Sequence, residues 1–127
     1  MLLDSNVLVA ATAPGHDHHE AVLSFIGQAR GPLYVSALSR VEFLGRPGVT
    51  PEELALREYV YGEHRELPID SAVLDLAARF RRRRQRLKTA DAVIAGTAFH
   101  YRVPLVTANV RDFEWIEELT VVDPTAA

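Results

Sequence analysis

The sequence predicts an α/β fold, a central, mostly parallel sheet of about five strands flanked by helices. Two observations carry this. Short runs rich in Val and Leu alternate with longer segments of helical pattern, the rhythm of strands joined by covering helices. One helical segment, TADAVIAGTAF from Thr89 to Phe99, is so uniformly small and apolar that burial on nearly all sides is required. A chain of 127 residues suffices for one domain with a single core and is too short for two, so residues 1–127 are read as one domain.

The elements follow in order. LLD and VLVA, from Leu2 to Ala10, make a first apolar run interrupted by Asp4-Ser5-Asn6, and HHEAVLSFIGQAR reads as a helix. PLYVS is a strand, and ALSRVEFLG a helix in which Leu38, Val41 and Leu44 trace an apolar stripe. GRPGVTP, Gly45 to Pro51, is a loop whose final proline suits the first turn of the helix PEELALREYVYGEH. ELPID, VPLVTA and LTVVD supply further strands. Between the first two of these lie SAVLDLAARFRRRR, with Val73, Leu76, Ala77 and Phe80 on one face, and the buried helix from Thr89.

Composition narrows the function. The chain is 48% hydrophobic and 24% charged, which is ordinary for a folded globular protein. With no cysteine, disulfides, thiolate metal sites and cysteine nucleophiles are excluded, and a cytoplasmic location fits. Leu2 and Leu3 lead straight into Asp4, so a basic leader with a long apolar segment is not expected, nor is a membrane span. The net charge of −3 is unlike that of most phosphate binders. Its distribution is uneven, however: RFRRRRQRLK, from Arg79 to Lys88, concentrates positive charge at one helix end, while the acids are spread along the chain.

In a parallel sheet, function gathers at the carboxyl ends of the strands. Asp4 stands at such an end, where a turn or helix cap is the plain alternative. Glu42 lies at the edge of a helical stripe, and Ser39 to Glu42 also matches an S-x-x-E capping box if that helix starts late. Asp91 opens the buried helix, with Thr89 as its expected cap. Thr107 and Asn109 follow an apolar strand, with Asp112 close behind, and Asn109 or Asp112 can cap the short turn DFEWI. A single shared site accounts for these residues together. Crowded carboxylates repel one another unless a divalent cation compensates them, and oxygen ligands suit Mg²⁺ or Mn²⁺.

The fragments LLDSNVLVA, SRVEFLG, TADAVIAGTA and LVTANVRDF, in this order over nearly the whole chain, resemble a PIN domain of the bacterial VapC type. The resemblance implies a three-layer α/β/α fold and a Mg²⁺-dependent (or Mn²⁺-dependent) ribonuclease. It implies the toxin of a type II toxin–antitoxin pair, with a cognate antitoxin and a homodimeric state. The family's acids fall on Asp4, Glu42 and Asp91, and Asn6 and Thr107 fall at polar positions beside the metal. Many relatives carry Asp where this chain has Asn109, so either that ligand is neutral or Asp112 takes the duty. The implied metal set is Asp4, Asp91, Asp112 and Asn109, and Asp4, Glu42, Asp91 and Asp112 are the catalytic candidates. Arg82, Arg83, Arg86 and Lys88 are the residues expected to meet RNA phosphates, or an acidic or amphipathic antitoxin segment on the same rim.

Two other classes compete. A non-catalytic RNA-binding or partner-binding module is suggested by Asn109. Phosphoryl transfer from a strand-end Asp of the haloacid-dehalogenase kind calls for D-x-D, and here the third residue is Asn6. HDHH, His16 to His19, reads as the polar start of a helix rather than a metal site, and no phosphate-loop or G-x-S-x-G motif is present.

Overall fold

A computed structural model describes residues 1–126. The order is β1 (Leu2–Leu3), α1 (Ser5–Thr12), α2 (His19–Gln28), β2 (Tyr34–Ser36), α3 (Ala37–Leu44), α4 (Pro51–Gly62) and β3 (Arg65–Leu67). There follow α5 (Ser71–Arg83), α6 (Thr89–Tyr101), β4 (Leu105–Val106), a 3-10 turn (Val110–Asp112) and β5 (Val121–Val122). The five strands form one sheet, β3-β2-β1-β4-β5, and every pairing in it is parallel. Leu2 lies opposite Tyr34 on one side and Leu105 on the other, so β1 is central.

Alternation along the strands divides the core into two. Leu2 and Leu105 face α5 and α6, packing with Val73, Ala77, Phe80 and Ala95. Leu3, Val35 and Val106 face α1 to α4, packing with Val7, Leu8, Val22, Phe43 and Tyr61. The strands are therefore covered on both faces and carry no polar alternation, as in parallel sheets generally. This is the three-layer α/β/α arrangement. Helix α6 lies so close to α5 that a Cβ on Gly96 would stand 2.7 Å from the Val73 carbonyl oxygen. Among the described residues no helix is long and apolar enough to cross a membrane.

Three local expectations are corrected. VLVA is not a strand-like run but part of α1. Asp4 ends β1 and caps the helix, and α1 is enclosed by the sheet, α2, α3 and α4, which removes the polar face that would have revealed its period. In α3 the buried residues are Ser39 and Phe43, while Val41 of the expected stripe is 70% exposed. The helix starts at Ala37, capped by Ser36, whose Oγ accepts from the Leu38 N–H at 3.2 Å, so Ser39 is a mid-helix residue and not half of a capping box. Thr89 is not the cap of α6: Lys88 holds that position, and the Thr89 hydroxyl instead accepts from Arg81 at 2.9 Å.

Candidate active site

All strands run the same way, so the carboxyl ends of β1, β2 and β4 open at one edge of the sheet. The chain leaves β1 towards β2 on one side and returns on the other through β4, which makes the β1/β4 boundary the switch point where ligands bind in such sheets.

Asp4 sits at that boundary and is 6% exposed. Its Oδ1 accepts from the Ser5 N–H at 2.7 Å. Its Oδ2 accepts from the Thr107 hydroxyl at 2.9 Å and from Asn6 Nδ2 at 3.3 Å. Asn6 also donates to Thr107 Oγ1 at 3.2 Å and accepts from the Ala108 N–H at 3.3 Å, binding the end of β4 to the start of α1. The cap expectation for Asp4 is met by one carboxylate oxygen at the helix end, while the other faces β4.

Glu42 reaches the same edge from α3. Ser5 Oγ donates towards Glu42 Oε1 and Ser39 Oγ, each at 2.9 Å, sharing one proton between them. Ser39 is fully buried because its hydroxyl has this partner. Neither Ser5 nor Ser39 stands out as a site residue in the sequence, although Ser39 lies one helical turn before Glu42.

Asp91, in the first turn of α6, is half-buried. With Asp112, Lys88, Arg86, Arg84 and Trp115 it lines a cavity of about 200 Å³. Asn109 lies beside the Asn6 flank instead, its N–H donating to Thr107 Oγ1 at 3.0 Å and its side chain making no cap bond to the 3-10 turn. Asp112 is thus the acid that shares the Asp91 cavity and whose charge acts most on Asp91. His16 to His18 form an exposed turn before α2 that borders Asn6 and Asn109, and His19 opens the helix, half-buried, with its Nδ1 2.8 Å from the Ala10 carbonyl oxygen.

The electrostatics of the acids are coupled. Burial pushes the Asp4 carboxyl up to about 6, aided by the charges of Asp91 and Glu42 and opposed by the hydrogen bonds from Thr107 and Ser5. Burial also raises Asp91, with Asp112 and Glu42 adding to the effect and Lys88 opposing it. The charges of Glu42 and Asp91 thus act on Asp4, and those of Glu42 and Asp112 on Asp91. Among the described residues no three acidic or histidine side chains converge tightly enough to enclose an ion by themselves.

The arginine run is divided by the end of α5. Arg82 is exposed and has no side-chain partner among the described residues. Arg83 pairs with Glu118 at 2.5 Å, away from the cavity wall. Arg84 leaves the helix in extended conformation and lines the cavity with Arg86 and Lys88. Arg84 was not among the expected RNA contacts, because the residue at which the helix stops inside a run of four arginines has no local mark.

The fold has counterparts among solved structures. FitAcB from Neisseria gonorrhoeae superposes with a TM-score of 0.82 over 99% of both chains at 21% identity. A toxin–antitoxin complex from Klebsiella pneumoniae gives 0.79 over 97% of this chain and 96% of that one, also at 21% identity. VapC20 from Mycobacterium tuberculosis, a sarcin-ricin-loop-cleaving toxin, gives 0.71 over 84% and 86% at 10% identity. At such identities the likeness is one of fold. No curated protein sequence matches. The profile of the PIN domain matches residues 1–119, nearly the whole length including every acid discussed above, and the chain belongs to the PIN domain family.

Proposed function

We propose that this PIN domain is a Mg²⁺- or Mn²⁺-dependent endoribonuclease and the toxin of a type II toxin–antitoxin pair. The observation that carries the reading is the gathering of Asp4, Glu42, Asp91 and Asp112 at one sheet edge, with Asp4 raised first by burial and then by the charges of Asp91 and Glu42, and Asp91 raised first by burial and then by those of Asp112 and Glu42. Lys88 offsets the repulsion at Asp91 only in part, and the acids are oxygen donors, which suits a hard divalent cation. Asp4, Asp91 and Asp112 are the residues that would hold such a cation, and Mg²⁺ is commonly bound through one or two carboxylates with water completing its shell.

When bound, the metal supplies charge neutralisation at the phosphate and a water of lowered pKa for in-line attack on the phosphodiester. The chain's own residues do the rest. Thr107 and Asn6 hold the Asp4 carboxylate in one orientation, and the Thr107 hydroxyl favours its ionised form. Glu42, fixed by Ser5, is placed to accept a proton from the attacking water, directly or through a second water. Arg86 and Lys88, on the wall of the Asp91 cavity, bind the neighbouring phosphates. Asn109 supports the site through its backbone, which leaves the fourth acid to Asp112.

The fold shared with a toxin–antitoxin complex supports the toxin role and, with it, a cognate antitoxin; a homodimeric state and action in the cytoplasm belong to the same proposal. The fold shared with a toxin that cleaves the sarcin-ricin loop supports RNA as substrate. Two alternatives are less well supported. A decayed, non-catalytic site is at odds with the place of Asp112 beside Asp91. A phosphoaspartate at Asp4 of the haloacid-dehalogenase kind calls for a second acid two residues on, and Asn6 stands there. The test is cleavage of single-stranded RNA by the purified chain with Mg²⁺ or Mn²⁺ against EDTA: cleavage in the metal arms alone supports the proposal, and none in any arm refutes it.

A further inference from the structure

Trp115, the sole tryptophan of the chain, lines the same cavity as Asp91 and Asp112. It is half-buried beyond the 3-10 turn, and its indole N–H donates to the Asp112 carbonyl oxygen at 2.9 Å, which fixes the ring beside that acid. Two guanidinium groups approach the ring, Arg84 at 5.3 Å and Arg83 at 5.5 Å from its centroid. They differ in everything else they touch. Arg83 is tied to Glu118 at 2.5 Å, also lies 5.8 Å from the Phe80 ring, and stays off the cavity wall. Arg84 has no ion pair or side-chain hydrogen bond among the described residues and stands on that wall.

One arginine thus ties the indole to Glu118, while the other, with no ion pair among the described residues, extends the indole's surface next to the acids. Indole and guanidinium planes are the surfaces on which unpaired nucleobases stack, and they accept any base because every base has a π face. Arg86 and Lys88 on the same wall supply the charge for the phosphate of such a nucleotide. A base already paired in a duplex has both faces covered by its neighbours and cannot reach the shelf.

We propose that the Arg84–Trp115 stack receives the base of an unpaired nucleotide of RNA, beside the phosphate that reaches the Asp91 cavity. The proposal rests on the ribonuclease reading for the choice of RNA, but its test needs no catalysis.

The single tryptophan makes the stack directly observable. In EDTA, the intact protein is titrated with three probes: a short single-stranded oligoribonucleotide, an oligomer of equal length with abasic sites, and a duplex. Indole fluorescence is followed, together with the polarisation of a labelled copy of each probe. The single strand should quench the indole and bind roughly tenfold more tightly than the abasic oligomer, the lower range for one base stacked on an aromatic ring. The abasic oligomer and the duplex should bind without quenching. Arg84→Lys keeps the charge but not the plane, so it should lose most of the single-strand advantage while keeping the abasic affinity and its salt dependence. Trp115→Leu, read by polarisation, should do the same.

Equal affinity for base-bearing and abasic strands, an R84K protein indistinguishable from the parent, quenching by the duplex, or no binding by any probe would each overturn the proposal. The two readings fail differently. Intact metal-dependent cleavage with no base-dependent quenching removes only the stack, whereas base-dependent quenching without cleavage removes only the nuclease.

Discussion

The Thr107 hydroxyl donates to Asp4 Oδ2 across 2.9 Å, joining two residues 103 positions apart at the adjacent ends of β4 and β1. The bond opposes the upward pull of burial on Asp4 and favours its charged form. Thr107→Val keeps the shape and removes the donor. The Asp4 carboxyl should then titrate above its present value of about 6, followed by ¹³C NMR of the side-chain carboxyl in metal-free protein. The pH at which cleavage reaches half its maximum should rise with it. A carboxyl that titrates unchanged would show that Asn6 and Ser5 suffice.

Asp4 also sets a pH dependence of stability. Its folded value is about 6 against an ordinary 3.8, so the folded state holds the proton more tightly than the unfolded chain. Below pH 4 both states are protonated and there is no penalty. Between about pH 4 and 6 the penalty grows, and above 6 it is complete, on the order of 3 kcal/mol. Metal-free protein should therefore lose stability as pH rises through this window, with Asp91 acting in the same sense. Urea unfolding at a series of pH values should give a flatter profile for Asp4→Asn. A parent profile that climbs with pH across the window would contradict this account.

Asp91→Asn should abolish metal-dependent cleavage while leaving the thermal midpoint of the metal-free protein equal or higher. Asp91 is raised by burial and by Asp112 and Glu42, so its charge is an expense to the apo fold. Its backbone, already in the first turn of α6, needs no carboxylate to stay helical. Parallel losses of activity and stability would mark Asp91 as a helix-end residue and no more.

Asp112 and Asn109 make different contacts, and their alanine variants should differ accordingly. Asp112→Ala removes a charge beside Asp91, so the Mg²⁺ concentration for half-maximal cleavage should rise, on the order of tenfold for roughly 1.4 kcal/mol of lost interaction. Asn109→Ala keeps the backbone N–H that bonds Thr107 and should change that concentration little. The reverse ranking would return the fourth position to Asn109.

Much of this molecule is determined by local pattern. The succession of short Val and Leu runs with helical segments specifies the parallel, doubly covered sheet, because strands buried on both faces cannot carry polar residues. The same logic exposes Asp4 and Asp91 as misfits in apolar surroundings, and Asn6 and Thr107 as polar residues next to strand ends. The tertiary structure alone decided the rest. Whether VLVA continued the strand or began a helix depended on the layer packed around it. The face that α3 buries follows from Ser39 meeting Ser5, 34 positions earlier, and not from the spacing of Leu38, Val41 and Leu44. The division of labour between Arg83 and Arg84, and the place of Asp112 beside Asp91, depend on the residue at which α5 stops and on the path of the chain after β4. Side-chain periodicity reports which way a residue points along its own element. It carries no information on which distant group waits there, and a site assembled from four separate segments is made of such encounters.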